Sequence, residues 1–310
     1  MRRQRGAIAI IFAMLIFTLV VSVSVKLARD VKLQTRRTQS LLWQEQARLF
    51  AIGAEDWIGD ILRQDLNDTE NDHFGELWAQ ELPPLPVEGV GIEGVVAGAL
   101  TDLQGRFNLN NLMDADGAPV EIELERFRRL LVALEIDPQI AEAVMDWSDT
   151  DTEPRFPGGA EDEIYTNRLP PLRVPNLAFR STAELAMVEG LTPDVLPQLL
   201  PHVTALPERT ALNVNTATQL ILQTLDENMA GADVQRVIEE RAEIGIEDPS
   251  ITFAGILSDE AIATLDTQTR YFQLRSVVRI GTIRFTMYSL LYRTEQGQVA
   301  VIQRSFGSPP

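Results

Sequence analysis

The chain opens "MRRQRGAIAIIFAMLIFTLVVSVSVKLARD", residues 1–30, and the reading of this stretch decides the fold. Arg2, Arg3 and Arg5 precede Gly6, and 19 uncharged residues follow from Ala7 to Val25. At about 1.5 Å per residue that run makes a helix of roughly 28 Å, close to the hydrocarbon thickness of a bilayer. A secretory signal peptide has a shorter apolar core and a small-x-small cleavage site after it, whereas this run leads directly into "SVSVKLARDVKLQTRR". Membrane insertion therefore rests on Ile8, Ile10, Ile11, Phe12, Leu15, Phe17 and Leu19. Local charge does not set the orientation, because Lys26, Arg29, Lys32, Arg36 and Arg37 oppose the three leading arginines.

No proline occurs before Pro83 and no glycine lies between Gly6 and Gly53. Helix breakers are thus absent well beyond the apolar run. Leu42, Leu49, Phe50, Ala54, Trp57, Ile58 and Ile61 recur mostly at helical spacing, which predicts an amphipathic continuation. The expectation is one helix from about residue 7 to about residue 64, roughly 85 Å long, with its first half in lipid and its second half packed on a soluble domain.

The remainder is a folded, acidic body. Hydrophobic residues make up 45% of 310 residues, and the net charge is −18. Such a body repels phosphate backbones and disfavours nucleic-acid binding. The absence of cysteine excludes disulfides, thiol chemistry and cysteine-bound zinc. The proline cluster "ELPPLPVEG" (81–89) predicts a break, after which "GVGIEGVVAGALTD" and "GRFNLNNL" read as short strands. From about Asp114 to about Thr267 the pattern is helical and loop-rich, with Phe127, Leu130, Leu131 and Leu134 on one side of a clear amphipathic helix. "YFQLRSVVRI" (271–280) alternates as a half-buried strand, and two more strands follow across the turn "TEQGQ". Strands around a helical middle predict one α+β fold: a long N-terminal helix on an antiparallel sheet, interrupted by a large all-α insertion.

The densest carboxylate cluster is "DWSDTDTEPRFPGGAEDE", with Asp146, Asp149, Asp151, Glu153, Glu161, Asp162 and Glu163. Gly158 and Gly159 can fold its two acidic arms together. Hard oxygen donors on a flexible loop suit Ca²⁺, and an ordinary solvated acidic loop is the competing reading. The spacing is not that of an EF-hand. His73 and His202 stand outside any zinc motif and read as surface residues; Trp147 reads as a core anchor for the loop. "VEGLTPDVLPQLLPHVTAL" and "LNVNTATQLILQTL" look like helix-hairpin-helix pieces, which this acidic balance makes structural. No nucleophile elbow, Walker loop or dinucleotide fingerprint is present.

A short basic leader ending in glycine before an apolar helix resembles the signal of type IV pilins and pseudopilins. "LTDLQGRFNLNNL", "MDWSDTDTEPRFPGGAEDEIY" and "ALNVNTA" resemble, in order, three sequence blocks of the type II secretion system protein K family. That resemblance implies a type IV pilin-like fold and cleavage between Gly6 and Ala7 by a prepilin peptidase, followed by N-terminal methylation. Ile11 stands where most pilins carry glutamate, a departure that the K family shares. A carboxylate is costly in a bilayer unless paired, and a subunit at the tip has no subunit ahead of it to pair with. The resemblance further implies a non-enzymatic minor pseudopilin, single-pass in the inner membrane with its C-terminal part in the periplasm. It caps the pseudopilus with other minor pseudopilins, of the I and J types, the H type being a further candidate. Structural calcium is implied in the acidic block, with Asp146, Asp149, Asp151, Glu161 and Asp162 as ligands. The implied organisation is a leader (1–6), membrane helix (7–25), pseudopilin helix and first strands (26–113), inserted helical domain (114–267) and closing strands (268–310). A membrane-anchored periplasmic metal-dependent hydrolase and a type IV pilus minor pilin are the alternatives.

Overall fold

Lack of helix breakers has the expected consequence: α1 (Arg2–Asp68) runs without interruption. The computed structural model describes residues 2–89, 92–229 and 231–309; the side chains of 2–9, 82 and 88–92 lie outside the description, the expected cleavage pair Gly6–Ala7 and the anchor residue Ile8 among them. The apolar part of α1 is long enough to cross a membrane, and none of it is buried against the rest of the chain.

The soluble half of α1 lies on a five-stranded antiparallel sheet of order β1-β2-β7-β8-β9. Its strands are β1 (Leu82–Gly89), β2 (Ile92–Asp102), β7 (Tyr271–Ile280), β8 (Ile283–Arg293) and β9 (Val299–Phe306). β7 alternates as its sequence predicts: Phe272, Leu274, Val278 and Ile280 are buried, while Arg275 and Arg279 are exposed. The face of α1 that packs here is Ala47, Ala51, Ile58 and Leu62, against Phe272, Leu274, Val278, Met287 and Leu291. This corrects part of the predicted stripe: Phe50, Ile58 and Ile61 pack on the sheet as expected, but Leu42 and Leu49 are 59% and 55% exposed and Trp57 is 40% exposed. At the end nearer the apolar run the small Ala47 and Ala51 let the helix approach the sheet closely. The proline cluster, expected as a break, is instead strand β1. Pro83, Pro84 and Pro86 lack N–H groups, which an edge strand tolerates because one of its sides has no partner.

Residues 103–270 form the insertion between β2 and β7. It contains α2 (Glu121–Ala133), α3 (Ile140–Ser148), α4 (Asp162–Tyr165), α5 (Leu196–Leu199), α6 (Gln219–Gln223), α7 (Gly231–Glu240), α8 (Pro249–Thr252) and α9 (Asp259–Ile262). Two short parallel pairs tie it together: β3 (Phe107–Asn108) with β4 (Val203–Thr204), and β5 (Leu212–Asn213) with β6 (Leu265–Asp266). "GRFNLNNL" thus belongs to the insertion, and the boundary expected at residue 114 falls near 103. The insertion has its own core, in which the Phe107 and Phe127 rings stack at 5.2 Å. It crowns the end of the sheet farthest from the apolar run. Gly281, at the other end, lies against Trp43, where a Cβ would come within 2.6 Å of the indole.

Candidate functional site

The acidic block forms a loop between α3 and α4. Asp146 closes it: its carboxylate accepts from the Ala160 amide at 2.8 Å and the Arg155 amide at 3.1 Å. Gly158 has φ +96°, and a Cβ on Gly159 would sit 2.3 Å from Asp146 Oδ2 and from the Arg155 carbonyl. Only glycine permits that approach. Gly159→Ala should therefore open the loop and lower the melting temperature by several degrees; an unchanged melting curve would show that the loop does not depend on this contact. Trp147, 2% exposed, backs the loop edge-on to Tyr165 at 5.4 Å, the core-anchor role its position suggests.

Asp149, Asp151 and Glu161 converge, each offering a carboxylate oxygen within 4.8 Å of the others. Asp149 and Glu161 are buried, and Asp149 Oδ1 and both Glu161 oxygens lack any hydrogen-bond partner among the described residues. Burial, and then the charges of Asp146 and Asp149, push the Glu161 carboxyl up to about 7. Burial, and then Asp151, push Asp149 to about 6. Three orphaned buried oxygens are expensive unless a cation meets them. Hard anionic oxygens in a half-open cup have the chemistry of a Ca²⁺ site. The other two expected ligands are used differently. Asp146 bonds loop amides, and Asp162 accepts the Val174 amide at 3.0 Å and lies 4.0 Å from Arg173.

A second polar centre joins the insertion to the helix-and-sheet unit. Arg293 on β8, itself buried, reaches Asp65 at 3.0 Å, Asp72 at 2.5 Å and the Thr269 carbonyl at 2.8 Å. Beside it the buried Asp102 accepts from Thr269 at 2.7 Å, Asn213 at 2.9 Å, the Gln104 amide at 2.6 Å and Thr216. Asn213 also donates to the Asp72 carbonyl at 3.0 Å. Two of the sequence blocks, around Asp102 and around Asn213, therefore interlock here with the turn after α1. Sequence reading missed this centre because its members are some 200 positions apart in the chain. It also misplaced the histidines: His73 is buried beside Glu76, and His202 is half-buried.

Comparison with known proteins gives a family for the chain. The model of the family "Type II secretion system (T2SS), protein K" matches residues 105–208 and 212–265. The type II secretion system protein K of Pseudomonas aeruginosa is 32% identical over 99% of this chain and 94% of its own length. That of Aeromonas hydrophila is 29% identical over 98% of both. Among solved structures, a chain in the crystal structure of the GspK-GspI-GspJ complex from enterotoxigenic Escherichia coli superposes with a TM-score of 0.76. It is 26% identical, and the match spans 88% of this chain and all of that one.

Proposed function

We propose, because this chain belongs to the type II secretion system protein K family, that it works as the minor pseudopilin capping the tip of a periplasmic pseudopilus and helping to initiate its assembly. One observation carries the tip assignment: the insertion crowns the end of the sheet farthest from the apolar run of α1. In a rod of stacked subunits that end faces the subunit above, and a second domain there leaves no room for one. Its mechanism is assembly, not catalysis. The partners are the other minor pseudopilins, the I and J types first and the H type as a further candidate. Support for lateral packing comes from the exposed apolar residues Leu42, Leu49 and Trp57 of α1, the last of which lines an apolar groove of about 210 Å³ against β1 and β2. Electron microscopy of pseudopili carrying a label on this chain tests the assignment. Label is expected at filament ends; label spaced along the shaft would make the chain an ordinary subunit.

The N-terminal part fits an inner-membrane, single-pass anchor with the soluble part in the periplasm. Prepilin peptidase is expected to cut Gly6–Ala7, followed by methylation of the new amino terminus. Mass spectrometry of the mature protein should find a chain starting at Ala7, and a start beyond Val25 would replace the anchor with a cleaved signal peptide. The cup of Asp149, Asp151 and Glu161 is read as a structural calcium site, in which the ion supplies the charge that the loop lacks.

A further inference from the structure

The block "GRFNLNNL" leaves one residue unexplained. Asn108, Asn110 and Asn111 all find partners within the insertion: Asn108 donates to the Glu208 carbonyl at 2.8 Å, Asn110 to the Phe179 carbonyl at 2.8 Å, and Asn111 to the Thr210 carbonyl at 2.8 Å. Arg106 is half-buried at the seam between insertion and sheet, and its guanidinium has no hydrogen bond or ion pair among the described residues. The nearest acidic influence is Asp102, whose oxygens are already taken by Gln104, Asn213, Thr216 and Thr269. The Arg106 side chain is partly screened from water, and burial pushes its pKa down.

Arg106 lines a cleft of about 270 Å³ with Arg180 from the insertion and Gln273 and Gln303 from the sheet; Leu200 and Leu290 form its apolar walls. His202 adjoins it, and its Nδ1 is buried without a partner. Two arginines without an ion pair among the described residues, and two amides, suit a planar anion held by a guanidinium fork. Apolar walls suit a ligand whose anion sits on a short aliphatic stem, which inorganic phosphate lacks. The volume admits a side chain with room to spare and falls short of a typical cofactor pocket.

The geometry points to a docking cleft for a carboxylate side chain, glutamate or aspartate, of a partner polypeptide, with Arg106 holding the carboxylate and Arg180 at the rim. This goes beyond the tip assignment and does not depend on it.

The chain has two histidines, His73 and His202, so histidine-selective labelling gives a local reporter. The full chain in lipid nanodiscs would be titrated with the capped tripeptide Leu-Glu-Leu while the His202 signals are followed by NMR. A saturable shift of His202 but not His73 is expected, at least tenfold weaker with Leu-Gln-Leu or with phosphate, and at least tenfold weaker in Arg106→Gln. Acetate should bind at least tenfold more weakly than the tripeptide. No shift, or an unchanged titration in Arg106→Gln, would overturn the site. Phosphate binding as well as the tripeptide would make it a general anion site, and acetate binding as well would remove the polypeptide. Melting supplies the structural control. Arg106→Gln should be at least as stable as the parent, and a variant that unfolds or melts lower would show Arg106 to be a packing residue and overturn the assignment.

Discussion

Arg293→Met should destabilise the protein by about 3–5 kcal/mol, the usual consequence of removing one partner from a buried ion pair. Arg293, Asp65 and Asp72 have side-chain exposures of 3%, 9% and 3%, so water cannot take over the solvation of the carboxylates left behind. Burial already pushes Asp65 up to about 7 and Asp72 to about 6, against the pull of Arg293. A carboxyl whose pKa is raised on folding binds protons more tightly in the folded state. Its contribution to stability is therefore full below the unfolded value near 4 and falls as pH rises through about 6–7. Without Arg293 both groups shift further upward, and the loss of stability with rising pH should steepen. Urea unfolding of parent and variant between pH 5 and 8 measures both effects. Adding Asp65→Asn and Asp72→Asn should recover part of the loss, since neutral amides need no counter-ion. A single-variant change below about 0.5 kcal/mol, the scale of an ordinary surface substitution, would show that this network does not hold the insertion to the sheet.

Calcium should raise the melting temperature of the protein, and a chelator should lower it. At a free concentration of 100 times its dissociation constant a ligand adds about 2.7 kcal/mol, which for a protein of this size is a shift of roughly 4–5 °C. The effect has a pH signature. Asp149, with its pKa near 6, and Glu161, near 7, must lose protons to bind the ion, so the gap between calcium and chelator should widen from pH 5 to pH 8. In chelator the sign reverses: both carboxyls are raised, so stability falls as pH climbs from about 4 to about 7. Asp149→Asn with Glu161→Gln should abolish the calcium response, whereas Asp162→Asn should leave most of it, because Asp162 bonds the Val174 amide. Identical melting in calcium and chelator would remove the metal from this loop.

Much of the architecture was legible because it is written in local periodicity. Ala7–Val25 carries no charge, no breaker follows until Gly53, and β7 alternates cleanly, so helix and strand could be placed from residue order alone. The face of α1 that packs was legible only in part: Phe50, Ile58 and Ile61 were placed on it, Ala47 and Ala51 were not. Apolar side chains occupy more than one face, and periodicity favours the bulky Leu42 and Leu49 over the alanines, although close approach to a sheet needs small residues. β1 was missed because prolines are read as breakers, and whether a strand lies at an edge is a property of the sheet.

The candidate site divides in the same way. Residue types and spacing marked the acidic block, and the glycines marked its fold. They could not separate Asp149, Asp151 and Glu161 from Asp146 and Asp162, since all five are carboxylates within 17 residues. What separates them is convergence together with where the loop's backbone amides point. Asp146 and Asp162 receive N–H groups and stand outside the cup, while Asp149 and Glu161 keep bare buried oxygens beside the exposed Asp151, which itself accepts the Glu153 amide at 2.7 Å. Hydrogen-bond direction is set by the closed loop, so only the tertiary structure decided it. The sequence by itself determined the apolar run, the long helix and the presence of an acidic loop, because each follows from composition and short-range order. The tertiary structure decided the Arg293 centre, the cleft around Arg106 and the place of the insertion at the distal end of the sheet, because each depends on contacts between positions far apart in the chain.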